Sequence, residues 1–193
     1  MYQDLLQDAS FFELLRRMDV DLAESARSIG CPCGGVLHSA RYRRKPRGGP
    51  ASLPRECSVR ESFCCSQDGC RRRSTPPSVL FLGRRVFFGV VVVLVPILRE
   101  GLTPRRFRRL EKQLVVSRRT VRRWQRWWRE TLPSTQFWRG ARAELALGAS
   151  EALLPGSLLM AFSAVDEARD RLYAVLMWLS DLGLSPGPGG QAR

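Results

Sequence analysis

Apolar residues near the start of the chain recur at helical spacing. Leu5, Leu6, Phe11 or Phe12, Leu14, Leu15 and Met18 share one side of a 3.6-residue period, which predicts a helix over residues 3–18. A second, short helix is expected over 22–29, stopped by Gly30. The pattern then changes. Residues 36–45 and 56–65 look like strands, separated by a loop over 46–54 that contains Gly48-Gly49-Pro50. A third short strand is expected over 71–75, where Pro76-Pro77 stops it. The apolar run 86–98 is ambiguous. Val90-Val91-Val92-Val93 favours strand by propensity, yet its position calls for the first of three bundled helices.

The next signals are sharper. Gly101 ends the apolar element, Thr103 offers an N-cap, and Pro104 suits the first helical position, so a helix should run to about Gln113. Ser117 caps a third helix expected to reach about Glu130. Leu110, Leu114, Val116, Val121 and Trp124 would form the core between them. The turn has Val115 where glycine is usual, and a β-branched residue at φ > 0 is costly, so a non-standard turn is expected. The last third reads as two or three helices, with Val165, Leu172, Val175, Leu176 and Leu179 as an apolar stripe. Ser163, Asp166 and Glu167 mark its start and Gly183 its end, before a flexible tail over 185–193. The fold expected is mostly α with a small β zinc ribbon, a three-helix helix-turn-helix bundle and C-terminal helices. Its segments are 1–30, 31–78, 84–132, 133–184 and 185–193.

Charge changes this picture. The chain of 193 residues carries a net charge of +14, which points toward a polyanionic partner. Of 32 basic residues, 30 are arginine, a bias that a GC-rich genome also produces, so placement is the better guide. Residues 1–30 sum to −3, 31–83 to +7, 84–130 to +11 and 131–193 to −1. Charge therefore gathers on the ribbon and the helix pair. The run 86–98 has 13 residues, contains Gly89 and Pro96, and is flanked by Arg84, Arg85 and Arg99. A membrane span needs ~20 apolar residues, so a buried helix is expected. The start Met1-Tyr2-Gln3-Asp4 lacks a basic leader region, which predicts a cytoplasmic, nucleoid-associated protein.

Six cysteines in such a compartment read as metal ligands before disulfides. Zinc takes four ligands in a tetrahedron, usually delivered as two close pairs. Cys31 and Cys33 make the first pair, with one residue between them instead of the usual two, which leaves His38 as a substitute. Cys65 and Cys70 are the simplest second pair, with Gly69 easing the turn. Cys64 is the alternative to Cys65, since strand alternation prevents both from facing one ion. Cys57 reads as a small buried hydrophobe. Four protein ligands leave no open position, so Zn2+ would be structural.

On a wheel centred on Val121, Arg119, Arg123 and Arg126 face away from the core, flanked by Arg118, Arg122 and Arg129. Arginine pairs bidentately with guanine or clamps phosphate. The expected duplex-DNA contacts are Arg118, Arg119, Arg122, Arg123 and Arg126, with Arg105, Arg106, Arg43, Arg44 and Arg47 on phosphates. A solvated basic face without a partner is the plainer alternative.

With both modules placed, the chain resembles a bacterial family of transposase-associated zinc-ribbon plus helix-turn-helix proteins. The matching residues are CPCGG at 31–35, LHSARYRRKPRG at 37–48, FCCSQDGCRRRSTPPS at 63–78, FLGRR at 81–85 and VSRRTVRRWQRWW at 116–128. The resemblance implies binding to double-stranded DNA in connection with mobile elements, beside a transposase or recombinase. It implies less about activity. Asp166, Glu167 and Asp170 read as solvated charge on a helix, and residues 131–193 are too short for a recombinase catalytic domain, so no enzyme is expected. The reading is an accessory or regulatory DNA-binding factor whose C-terminal segment serves dimerisation or docks within the chain, with docking favoured. Its rivals are an inactive transposase fragment, a zinc-ribbon module for protein or RNA, and a nuclease with an unrecognised site.

Overall fold

The computed structural model describes residues 2–82, 87–145 and 148–180, so the readings placed on Arg84, Arg85, Gly183 and residues 185–193 lie outside the described residues. The described chain is mostly helical with a small antiparallel sheet. Helix α1 (Tyr2–Leu5) is one turn long. Helix α2 (Ala9–Ile29) then runs unbroken for 21 residues to Gly30. The expected pair of helices, 3–18 and 22–29, is thus divided at the wrong place. The break falls at Asp8, whose carboxylate caps α2 by accepting from Phe11 N at 3.2 Å. Asp19 and Asp21, in the gap between those two expected helices, sit inside α2. Asp19 is a buried acid with partners elsewhere in the chain, accepting from the Ser78 hydroxyl at 2.5 Å and from Val79 N at 2.8 Å.

Each long strand expected is two short ones. β1 (Leu37–Ser39) and β2 (Tyr42–Arg43) replace the first, and β3 (Val59–Arg60) and β4 (Phe63–Cys65) the second. β5 (Arg73–Ser74) is the short third strand. One sheet has the order β1-β4-β5, and β2 pairs β3 separately, all antiparallel. The interruption coincides with a buried polar cluster. Between β3 and β4 lie the buried polar residues Glu61 and Ser62, and the side chains of Arg60 and Glu61 are held by groups outside the strand pairs. Arg60 reaches the Pro76 and Pro77 carbonyls, and Glu61 takes Arg16 at 2.6 Å and Arg41 at 2.9 Å.

The valine run is helical. Helix α3 (Gly89–Gly101) buries every residue from Val90 to Val95 at 1% exposure or less. A helix apolar on all sides is stable only at the centre of a fold. It packs against α1, against α4 (Pro104–Gln113) and α5 (Arg118–Arg126), and against α8 (Ala168–Ser180). The C-terminal stripe therefore docks within the chain, with Leu172, Val175, Leu176 and Leu179 buried in the same core. Gly89 marks the contact, since a β-carbon there would lie 3.1 Å from Leu176 Cδ2. Helices α6 (Gln136–Ala141) and α7 (Gly156–Ala161) complete the C-terminal third. Among the described residues no helix is long and apolar enough to cross a membrane.

Pro96 inside α3 leaves the Val92 carbonyl without its usual i+4 amide, because proline has no N–H. The Trp128 indole N–H fills that vacancy at 3.0 Å. The third helix was expected to continue to about Glu130. Its α-helical run stops at Arg126 and widens into a π turn over Trp127–Thr131. This turn carries Trp128, which is fully buried against α3.

Candidate metal centre and basic helix face

Ligand-type atoms of Cys31, Cys33, Cys65 and Cys70 all lie within 4.8 Å of one another. Sulfur separations are 3.5 Å for Cys31–Cys33, 3.4 Å for Cys33–Cys65 and 3.8 Å for Cys31–Cys70. Four sulfurs about 2.3 Å from one ion stand ~3.8 Å apart in a tetrahedron. The cluster has that size, so it can hold a metal ion.

Local backbone explains why. The one-residue spacing at Cys31-Pro32-Cys33 is closed by a tight turn, in which Gly34 N donates to Cys31 O at 2.8 Å with Gly34 at φ 81°. Gly35 is needed for a different reason, one the sequence reading missed. A β-carbon there would lie 2.6 Å from Cys65 Sγ and 2.7 Å from Gln67 Cγ. The second glycine of CPCGG was the available signal. Gly69, expected to ease the second turn, has open space around it and no positive φ; the left-handed residue is Arg71, at φ 42°. Cys70 N and Arg71 N both donate to Gln67 O, closing this loop without help from Gly69.

The sheet register disposes of the alternative ligands. Leu37 pairs with Cys65 and His38 with Cys64, so His38 and Cys64 share the opposite face. Cys64 Sγ instead lies 3.7 Å from the Arg71 carbonyl. Cys57 is buried in the main apolar core, away from this cluster. The four-cysteine knot has its own small core of Ala23, Leu37 and Phe63, which ties it to the last turns of α2.

Crowding divides the thiols. Cys33 is lowered to about 7 by the Gly35 backbone amide and by hydrogen bonds from Cys65, Cys31 and Cys70. At Cys65 the Gln67 amide favours the thiolate, but burial and the three neighbouring sulfurs outweigh it and push the group up to about 12. Cys70 is also raised: the Arg72 amide opposes the shift, and Cys33, burial and Cys31 drive it. Metal-free, the cluster resists holding more than one negative charge. A divalent cation removes that resistance.

The helices carry the arginines on their outer faces. Thr103 caps α4, accepting from Arg106 N at 3.4 Å, and Ser117 caps α5, accepting from Thr120 N at 3.2 Å. Between the helices Val115 is largely exposed and sits at φ 51°, so the turn keeps the left-handed position that glycine usually fills and a β-branched residue bears its cost. The expected departure from that turn is not what the chain adopts. Phe107, Leu110, Leu114, Val116, Val121 and Trp124 are buried beneath. Arg105, Arg106, Arg118, Arg119, Arg122, Arg123 and Arg126 are all exposed. Arg118 has a long ion pair with Glu111 at 3.7 Å and Arg126 one with Glu130 at 3.9 Å. The guanidiniums of Arg119, Arg122, Arg123, Arg105 and Arg106 have no hydrogen-bond or ion-pair partner among the described residues. Arg108 and Arg109, absent from the expected contacts, are in the same state, as are Arg72 and Arg73 on the ribbon.

The ribbon arginines divide. Arg43 and Arg47 are exposed, whereas Arg44 is half-buried with its guanidinium 5.1 Å over the Phe81 ring. Arg44 is thus tied to packing, and burial lowers its pKa. The loop around it is pinned too: Phe88 N donates to Arg47 O, and Gly49 approaches so closely that a β-carbon would lie 2.7 Å from Phe88 Cε2. Compared with protein-family models, with curated proteins and with solved structures, the chain finds no match in any of the three.

Proposed function

We propose that this protein is a zinc-stapled binder of double-stranded DNA. In this reading α5 enters the major groove, and the protein acts as an accessory or regulatory factor beside a mobile-element transposase or recombinase. Zinc is the metal that four cysteine sulfurs at these separations suit, with iron–sulfur chemistry as the alternative for the same ligand set. The ion would be structural and would hold the ribbon against α2. No catalytic residue is proposed.

One observation carries the DNA reading. The outer half of α5 bears Arg119 and Arg123, whose guanidiniums have no partner among the described residues, while Val121 and Trp124 bury its inner half. Burial fixes the rotation of the helix, so these guanidiniums stay outward, the disposition a groove-reading helix needs. Exposed Arg105, Arg106, Arg43 and Arg47 would serve as phosphate contacts; Arg44 is removed from that set. The association with mobile elements is supported by the motif resemblance alone.

The test is selection from a random duplex library with metal-loaded protein, beside parallel binding to single strands and RNA. Enrichment of one duplex sequence supports the proposal. Equal retention of all three nucleic acids would leave only a basic surface.

A further inference from the structure

Arginines also converge on a cleft of about 260 Å³ at the junction of α3, α4 and α5. Arg99, Arg108, Arg118 and Arg122 line it over an apolar floor that includes Phe107, with a single carboxylate, Glu111. That volume lies just below the ~300–1,000 Å³ of ordinary ligand pockets, so a large cofactor does not fit. Arg108 and Arg122 have no partner among the described residues, and Arg99 donates to Gln125 Oε1 at 3.0 Å.

Glu111 is the unusual member. Its side chain is 10% exposed, one oxygen lies 3.7 Å from Arg118 Nε, and the other is enclosed without a hydrogen bond. A buried carboxylate that bonds so little gains nothing from burial alone. It does lie beside Arg118, whose side chain also lines the cleft. We infer that this cleft is a phosphate-binding site in which Arg108, Arg118 and Arg122 contact the anion and Glu111 is a positioning residue for Arg118. A phosphodiester of duplex DNA or the phosphate of a free nucleotide offers the same chemistry. The anion site stands without the DNA reading; only the first of those sources rests on it.

Positioning and simple electrostatics predict opposite signs for one substitution. Glu111→Gln adds net positive charge, so a diffuse basic surface would bind anions more tightly. A site in which Glu111 aims Arg118 would bind them less well. The experiment uses the full metal-loaded chain, with inorganic pyrophosphate by calorimetry and a duplex titrated at two salt concentrations. Arg108→Ala, Arg122→Ala and Glu111→Gln should each weaken binding about tenfold, the order of one charge-assisted hydrogen bond. Arg109→Ala, exposed on α4 outside the cleft, should change pyrophosphate binding far less.

Parallel losses for pyrophosphate and duplex assign the cleft to a backbone phosphate. A loss for pyrophosphate alone, including the case where duplex binding is absent from the start, assigns it to a free phosphorylated ligand and leaves the site standing. Tighter binding by Glu111→Gln overturns the inference. So do equal losses of pyrophosphate binding for Arg108→Ala and Arg109→Ala. Because Arg108 and Arg122 are exposed, their variants keep the comparison open should Glu111→Gln unfold.

Discussion

The ribbon half and the α4–α5 face are both rich in arginine, and they differ in how much of it is committed to the fold. Around the ribbon, Arg16 and Arg41 clamp Glu61, Arg60 caps the Pro76 and Pro77 carbonyls, and Arg44 covers Phe81. These cations hold chain segments together. On α4 and α5, Arg105, Arg109, Arg119 and Arg123 touch no partner among the described residues. Net charge does not distinguish the two groups; partnering does. A guanidinium that is already hydrogen-bonded and desolvated gains little from a phosphate, whereas a solvated one loses little by binding it.

With the proposed ion bound to the four cysteines, its removal should break the contrast most completely. Chelation should unfold the ribbon, because ~10–16 kcal/mol of metal-binding free energy is folding free energy in such sites. Cys70→Ser should lose the ion, and Cys57→Ser should keep it, as read by metal analysis. Protons provide a finer check. At pH 8, with Cys33 lowered to about 7 and Cys65 and Cys70 raised, binding should expel at least two protons, those of Cys65 and Cys70. Below pH 7 the proton on Cys33 joins them, so affinity should fall with acidification, and more steeply there. Calorimetry in buffers of different ionisation enthalpy measures the count; release of no protons at pH 8 would contradict these assignments.

Asp19→Ala ranks next. It strands the Ser78 hydroxyl and the Val79 and Leu80 amides, and leaves the buried Arg60 without its nearby carboxylate. A loss of about 3–5 kcal/mol is expected by denaturant unfolding, as for other broken buried charge networks. Burial raises the Asp19 carboxyl, against the Ser78 hydroxyl, Arg60 and the two amides. A raised acid is protonated more readily folded than unfolded, so its own ionisation opposes folding as pH rises past the unfolded carboxylate value.

Trp128→Phe should cost about 1–3 kcal/mol by leaving the Val92 carbonyl orphaned. That cost should shrink in a Pro96→Ala background, where residue 96 supplies its own amide; additive effects would show that the two residues are independent. Smallest of all, Arg109→Ala and Arg119→Ala should leave stability within about 0.5 kcal/mol, the range of ordinary surface changes. Arg44→Ala should exceed that range.

Local chemistry was legible where it is written in adjacent residues. Thr103-Pro104 and Ser117 mark the starts of α4 and α5, whereas Val115 gave the wrong signal, since it takes the left-handed conformation itself. The four cysteines were readable from spacing, although only the strand register decides between Cys65 and Cys64. What was hidden depends on distant partners. Asp19 looks like a helix interruption until Ser78 and Val79 arrive some sixty residues later to receive it. Pro96 looks like a breaker until Trp128 answers its missing amide. Gly35 looks like turn glue until Cys65 is seen to occupy its side-chain space. No periodicity encodes such pairings.

The central claim is that the outer face of α5 reads sequence while charge elsewhere only attracts. Its most direct test is titration of a selected duplex and a scrambled one with wild type, Arg123→Ala and Arg47→Ala, at two salt concentrations. Arg123→Ala should reduce the preference between duplexes at a cost of about 1–3 kcal/mol on the selected one. Arg47→Ala should weaken both alike and lower the salt slope by about 0.9. If both variants weaken the two duplexes by one common factor, α5 is an electrostatic surface and the account is contradicted.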